Sequence, residues 1–184
     1  MNVLALDISG LPRKWISFEE AILYHAKNQV AWSLGETVAT FRGGYQRGGE
    51  QSVLETPSII AVKGQGFSLK RAGRVILTNR TLFARDLHVC AYCGQRHTTP
   101  NLSRDHVIPK SRGGEDIWTN VVTSCHRCNH SKGARTPEEA RLHLRYVPYE
   151  PNHYENLILQ NRKILADQME YLLAGVPKSS RLWQ

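Results

Sequence analysis

Four cysteines constrain this 184-residue chain more than any other feature, because they come as two pairs, Cys90-Ala-Tyr-Cys93 and Cys125-His-Arg-Cys128, with 31 residues between them. A C-x-x-C pair can bring two sulfurs to one face of a tight knuckle, and two knuckles complete a tetrahedral site for zinc. Disulfides would need an oxidising compartment. The N-terminus, MNVLALDISG, argues against one: no basic segment precedes its apolar run and Asp7 comes early, unlike a secretory signal. A thioredoxin-like redox pair would leave the second C-x-x-C unexplained. We therefore expect a structural zinc ion held by Cys90, Cys93, Cys125 and Cys128. Four thiolates close its coordination sphere, so this metal holds the fold and does no chemistry. The region from 88 to 130 needs such a staple, since it has few large apolar residues and five of the eight histidines.

No apolar run approaches the ~20 residues of a membrane span, and the expectation is a soluble, cytoplasmic protein. The formal net charge is +8, and it is densest over residues 80–145, which carry +5. An excess of that size suggests a polyanionic partner.

Around this segment the organisation is α+β. Residues 1–80 read as a mixed α/β region for recognition or dimerisation, 81–145 as the cysteine-bearing domain, and 146–184 as a helical extension. VLALDI (3–8), ETVATF (36–41), SIIAVK (58–63) and RVIL (74–77) have strand composition, and GLPRKW reads as a turn. Ser17 with Glu20 forms a capping box for a helix over 18–29. RGGYQRGGEQS (42–52) reads as a hairpin loop, or as a flexible arm that follows a nucleic-acid backbone. Thr136-Pro137-Glu138-Glu139 has the form of a helix start. A further helix over 153–173 carries an apolar stripe, Tyr154, Leu157, Ile158, Leu165 and Leu172, suited to packing on the N-terminal part or on a second subunit of a homodimer.

Between the knuckles lies SRDHVIPKSRGGEDIWTN (103–120), which has neither helical nor strand periodicity throughout. Asp105-His106-x-x-Pro109, Gly113-Gly114, Trp118-x-Asn120 and Cys125-x-x-Cys128-Asn129-x-x-Lys132-Gly133 follow in that order. Over residues 85–142 the sequence resembles the HNH endonuclease family, in the subgroup with two C-x-x-C knuckles. The resemblance implies a two-stranded hairpin followed by a helix around one divalent ion, the ββα-metal motif. It also implies that His106, Asn120 and Asn129 occupy the three motif positions.

The residue types suit that chemistry. Phosphodiester hydrolysis needs an activated water and a countercharge for the transition state. A neutral imidazole is a suitable base near neutral pH, and His106 is assigned that role. Asp105 and the Asn129 carboxamide offer hard oxygens suited to catalytic Mg²⁺ or Mn²⁺. Asn120 fixes the hairpin loop and the orientation of His106, the Gly pair permits the turn, and Trp118 packs beneath the site. The third position is often His in the family; here it is Asn129, and His130 beside it competes for the ligand role. His126 reads as lying on the knuckle surface, and His88 and His97 as solvated or structural. Lys132, Arg104, Lys110 and Arg112 are the expected DNA phosphate contacts, with Arg127 and Arg135 close by. The expected activity is metal-dependent hydrolysis of DNA, double-stranded by expectation, leaving 5′-phosphate and 3′-hydroxyl ends. The alternative is a zinc-stabilised DNA-binding module without catalysis, and an RNA-directed nuclease is a third reading.

Overall fold

The computed structural model describes residues 2–64 and 75–183. In chain order the elements are β1 (Val3–Leu6), β2 (Pro12–Ile16), α1 (Phe18–Ala26), β3 (Val30–Tyr45), β4 (Gln51–Val62), α2 (Asn79–Arg85), β5 (Leu102–His106), β6 (Val121–Cys125), α3 (His126–Lys132), α4 (His153–Gln160) and α5 (Ala166–Leu173). They form two compact units: Met1–Gly73 with His153–Val176, and Arg74–Asn152 with Pro177–Gln184.

The first unit is built on a four-stranded sheet in the order β2-β1-β4-β3, with β1 parallel to β4 and the other pairs antiparallel. VLAL and IIAV are continuous apolar runs because both faces of the sheet are covered. Val3, Ala5, Ile60 and Val62 pack with Ile16 of β2 and Ala21 of α1 on one face. Leu4, Leu6, Ile59 and Ala61 pack with Leu157 of α4 and Leu172 of α5 on the other. The alternation along each strand assigns successive side chains to opposite cores. Buried Gln168 reinforces the second layer by donating to the carbonyls of Asn2 (2.9 Å) and Ser58 (2.8 Å).

Several local expectations change here. PRKWI, expected within a turn, is strand β2, because its backbone pairs with β1 and the shift in register falls at Pro12, which has no N–H to contribute. RGGYQRGGEQS is a hairpin: β3 and β4 run to Tyr45 and Gln51, and the turn closes through Gln46 N to Glu50 O at 2.8 Å. The single C-terminal helix is instead two helices, α4 and α5, separated by residues 161–165, and Leu165 is the N-cap of the second. Gly175 follows α5, where a Cβ would lie 2.4 Å from the Tyr154 ring, so the end of this helix pair tolerates no side chain.

The second unit holds the cysteines. β5 and β6 form an antiparallel pair in register, Leu102 opposite Cys125 and His106 opposite Val121, and α3 follows β6 directly. This is the ββα arrangement. Beneath it, Val75, Leu82, Phe83, Leu102, Trp118 and Val121 form one core cluster. Of the expected strand 74–77, Arg74 lies outside the described residues and 75–77 forms no strand. Thr136-Pro137-Glu138-Glu139 begins only one turn, closed by Ala140 N to Thr136 O at 3.0 Å. Arg141 then takes a left-handed backbone (φ 57°), and Leu142 and Leu144 turn back onto the knuckle core.

Candidate active site

The four cysteine sulfurs lie within 4.8 Å of one another, the only such cluster among the described residues. β6 ends at Cys125, which caps α3 by accepting from Cys128 N at 3.4 Å. Cys90 sits in the first knuckle, its N–H bonded to Gln95 O and its carbonyl to Gly94 N, each at 2.9 Å. Burial acts to raise the Cys90 thiol, but backbone N–H groups at Cys125, Cys93 and Tyr92 outweigh it and bring it to about 7. Burial and the neighbouring sulfurs push Cys93 and Cys128 up. Four thiols this close cannot all ionise without a cation among them, and a soft dication with tetrahedral preference fits the donor set.

The two cysteine knuckles flank the strand pair in the chain. His106 ends β5, and its Nε2 lies 2.9 Å from Asp116 Oδ1. Asp116 also accepts from Arg104 Nη1 at 2.7 Å, and Arg104 Nε donates to Asn79 Oδ1 at 3.0 Å. The Arg104 hydrogen bond, with a smaller contribution from His106, holds the Asp116 carboxyl below its usual range despite partial burial. An ionised carboxylate only accepts, so in this contact His106 Nε2 is the donor. Sequence reasoning missed Asp116. The available signal was an acidic residue just after Gly113-Gly114, and only the return of the loop brings it to His106.

Asn120 holds that loop in shape. Its Oδ1 accepts from Ile108 N at 2.9 Å, while Nδ2 donates to Ile108 O (3.1 Å) and Glu115 O (2.9 Å). The chain passes so closely that a Cβ at Gly114 would lie 1.7 Å from Ile108 O. Trp118 is buried, donating from Nε1 to Val75 O at 2.8 Å. Arg85, also missed, is fully buried and uses all five of its N–H groups. It bonds both Asp86 oxygens (2.8 and 3.0 Å) and the carbonyls of Trp118 (2.9 Å), Tyr149 (2.8 Å) and Val121 (2.9 Å).

Ser103 and Asp105 share the face of β5 turned to α3. Asn129 Nδ2 donates to Ser103 Oγ at 2.8 Å, which leaves the Asn129 carbonyl oxygen as an acceptor. Asp105 is buried, accepting from Lys132 Nζ at Oδ1 (3.0 Å) and from the Tyr92 hydroxyl at Oδ2. Burial, then the bond to Asp105, drives the Tyr92 hydroxyl far above its ordinary pKa, so it stays a donor. A carboxylate and a carboxamide, both carrying hard oxygen donors, thus lie on facing elements.

The structure corrects one expectation directly. Lys132 is not a surface phosphate contact: its side chain is 1 % exposed, spent on Asp105 and on His106 O at 2.8 Å. Of the other basic residues, Arg104 is tied to Asp116, Arg112 is exposed and pairs with Glu139 at 2.6 Å, and Lys110 is exposed. His130 is exposed on α3, and His126 bonds Pro100 O at 2.9 Å.

A ββα unit with four clustered cysteines and a histidine at the end of its first strand defines a class, and the family comparison agrees. Residues 90–145 match the family model described as HNH endonuclease. A stretch of 45 residues is 47 % identical to the CRISPR-associated endonuclease Cas9 of Corynebacterium diphtheriae. The match covers 24 % of this chain and 4 % of that relative, so the chain shares only a small part of that relative's length. None of the described helices is long and apolar enough to cross a membrane.

Proposed function

We propose that the chain is a metal-dependent endonuclease that hydrolyses DNA phosphodiester bonds. The observation carrying this reading is the His106–Asp116 pair at the end of β5, next to the buried Asp105 carboxylate. Asp116 orients the imidazole, and His106 Nδ1 accepts a proton from water as the water oxygen bonds to phosphorus. The phosphorus bond to the 3′ oxygen breaks, that oxygen takes up a proton, and 5′-phosphate and 3′-hydroxyl ends result. Asp105 and Asn129 would hold Mg²⁺ or Mn²⁺, which when bound supplies countercharge for the phosphorane-like transition state. Asn120 keeps the loop that carries Asp116 in register. Arg104, Lys110 and Arg112 lie on the loop and strand around His106, where they can meet backbone phosphates of a double-stranded substrate.

A second reading, a zinc-stabilised DNA-binding module without catalysis, is favoured by one observation: both Asp105 oxygens already have donors, Lys132 and Tyr92. Incubation with supercoiled plasmid in Mg²⁺ or Mn²⁺ separates the two. Cleavage by the wild type that His106→Ala abolishes supports the enzyme. Tight DNA binding by both, with no cleavage under either ion, establishes the module.

A further inference from the structure

Lys132 is the least expected group in the second unit. A lysine at the end of a surface helix ordinarily keeps its ammonium in water, yet here the whole side chain is 1 % exposed. Burying an ammonium is unfavourable unless its N–H groups and its charge are matched. The matching groups are Asp105 Oδ1 at 3.0 Å and His106 O at 2.8 Å, on consecutive residues of β5. One helix residue thus grips both the carboxylate assigned to the metal and the backbone of the residue assigned as base.

The structure assigns Lys132 the role of a resident counter-cation that competes with the divalent ion for Asp105. This rests on the proposed metal role of Asp105 and Asn129. The Asp105 carboxylate is already neutralised by one ammonium, and its other oxygen is held by Tyr92. A dication at the same oxygens would meet a like charge at hydrogen-bonding distance in a poorly screened interior, where such repulsion is strong. Loading therefore requires Lys132 Nζ to leave Oδ1. The bond to the His106 carbonyl keeps the released ammonium tethered beside the site. The lysine stabilises the metal-free fold and weakens metal binding at the same position.

The test compares Mn²⁺ binding to zinc-loaded wild type and Lys132→Met by calorimetry, with Asp105→Asn as the control that assigns heat to this site. Methionine keeps the buried stem and removes the charge. We expect Lys132→Met to bind Mn²⁺ about tenfold more tightly or better, and to gain more in Tm on Mn²⁺ addition. Equal or weaker binding by Lys132→Met overturns the inference. Should that variant fail to fold, the wild type decides: a buried, hydrogen-bonded ammonium is observable by NMR, and Mg²⁺ should shift or abolish the Lys132 Nζ signal. An unmoved signal while Mg²⁺ binds in an Asp105-dependent way overturns it. Absence of Asp105-dependent binding in every protein also overturns it. None of these readouts needs cleavage, so failure of the nuclease reading shows separately in the plasmid assay.

Discussion

Asn120→Ala is the substitution whose cost can be worked most directly from the structure. The side chain makes three hydrogen bonds, to Ile108 N, Ile108 O and Glu115 O, at 2.9 to 3.1 Å, and the residue is 8 % exposed. Each such bond contributes about 1 kcal/mol net, and a donor or acceptor left without a partner in the interior costs about 1–3 kcal/mol. The sum is about 3 kcal/mol, or a fall in Tm of roughly 12–24 °C for a unit of this size. Asn120→Asp sharpens the argument. Aspartate keeps the bond from Ile108 N but sets an anionic oxygen against two carbonyls, so it should be no better than alanine. The backbone bond from Val107 N to Asn120 O (2.8 Å) survives both changes, so the strands should remain paired while the loop loosens. His106 precedes Val107 and depends on Asp116 in that loop, so cleavage by the folded fraction should drop by about 10² for a displacement near 1 Å. Urea denaturation of the zinc-loaded proteins measures the stability, and plasmid cleavage under the same conditions measures the rate. A loss below about 1 kcal/mol in Asn120→Ala, or an Asn120→Asp as stable as wild type, would refute the reasoning.

Cys93→Ser, or chelation of the metal, should unfold the second unit, because binding free energy at such a site is folding free energy; elemental analysis with circular dichroism checks it, and a metal-free protein that stays folded counts against it. Arg85→Met strands the buried Asp86 carboxylate and should cost about 3–5 kcal/mol or prevent folding, as read by limited proteolysis. Asp116→Asn should lower the cleavage rate by about 10²- to 10⁴-fold with DNA affinity nearly unchanged, since the neutral amide no longer dictates the His106 tautomer. Because the folded-state pKa of Asp116 is depressed, chiefly by Arg104, its stabilising contribution is present above the ordinary carboxylate pKa and lost as pH falls through the lower folded value. Asp116→Asn should therefore flatten that acidic limb in a denaturation series, weakly, since the side chain is 42 % exposed. Arg112→Ala breaks only an exposed pair with Glu139, so stability should change by less than about 1 kcal/mol, while the log–log salt dependence of DNA binding loses about 0.9 of slope.

The cysteine-bearing segment was legible in the sequence because its constraints are local and chemical. Cysteine spacing dictates a knuckle, a Gly-Gly pair dictates a close turn, and the order Asp105-His106, Asn120, Asn129 survives without any knowledge of distant contacts. The segments VLALDI and SIIAVK likewise read as strands from their composition, while their burial on both faces came from the helices that cover the sheet. Tertiary structure decided the rest wherever a residue's partner is remote in the chain. PRKWI became a strand because β1 lies beside it, and the apolar stripe of 153–173 was divided between two short helices, α4 and α5, with Leu157 and Leu172 on the same face of the sheet. Asp116 became the partner of His106 through a loop closed by Asn120. Lys132 went from an expected phosphate contact to a buried ion pair, since only the crossing of α3 over β5 brings its ammonium to Asp105. Charge and spacing show what a side chain can do; burial, which depends on every neighbouring element, decides what it meets.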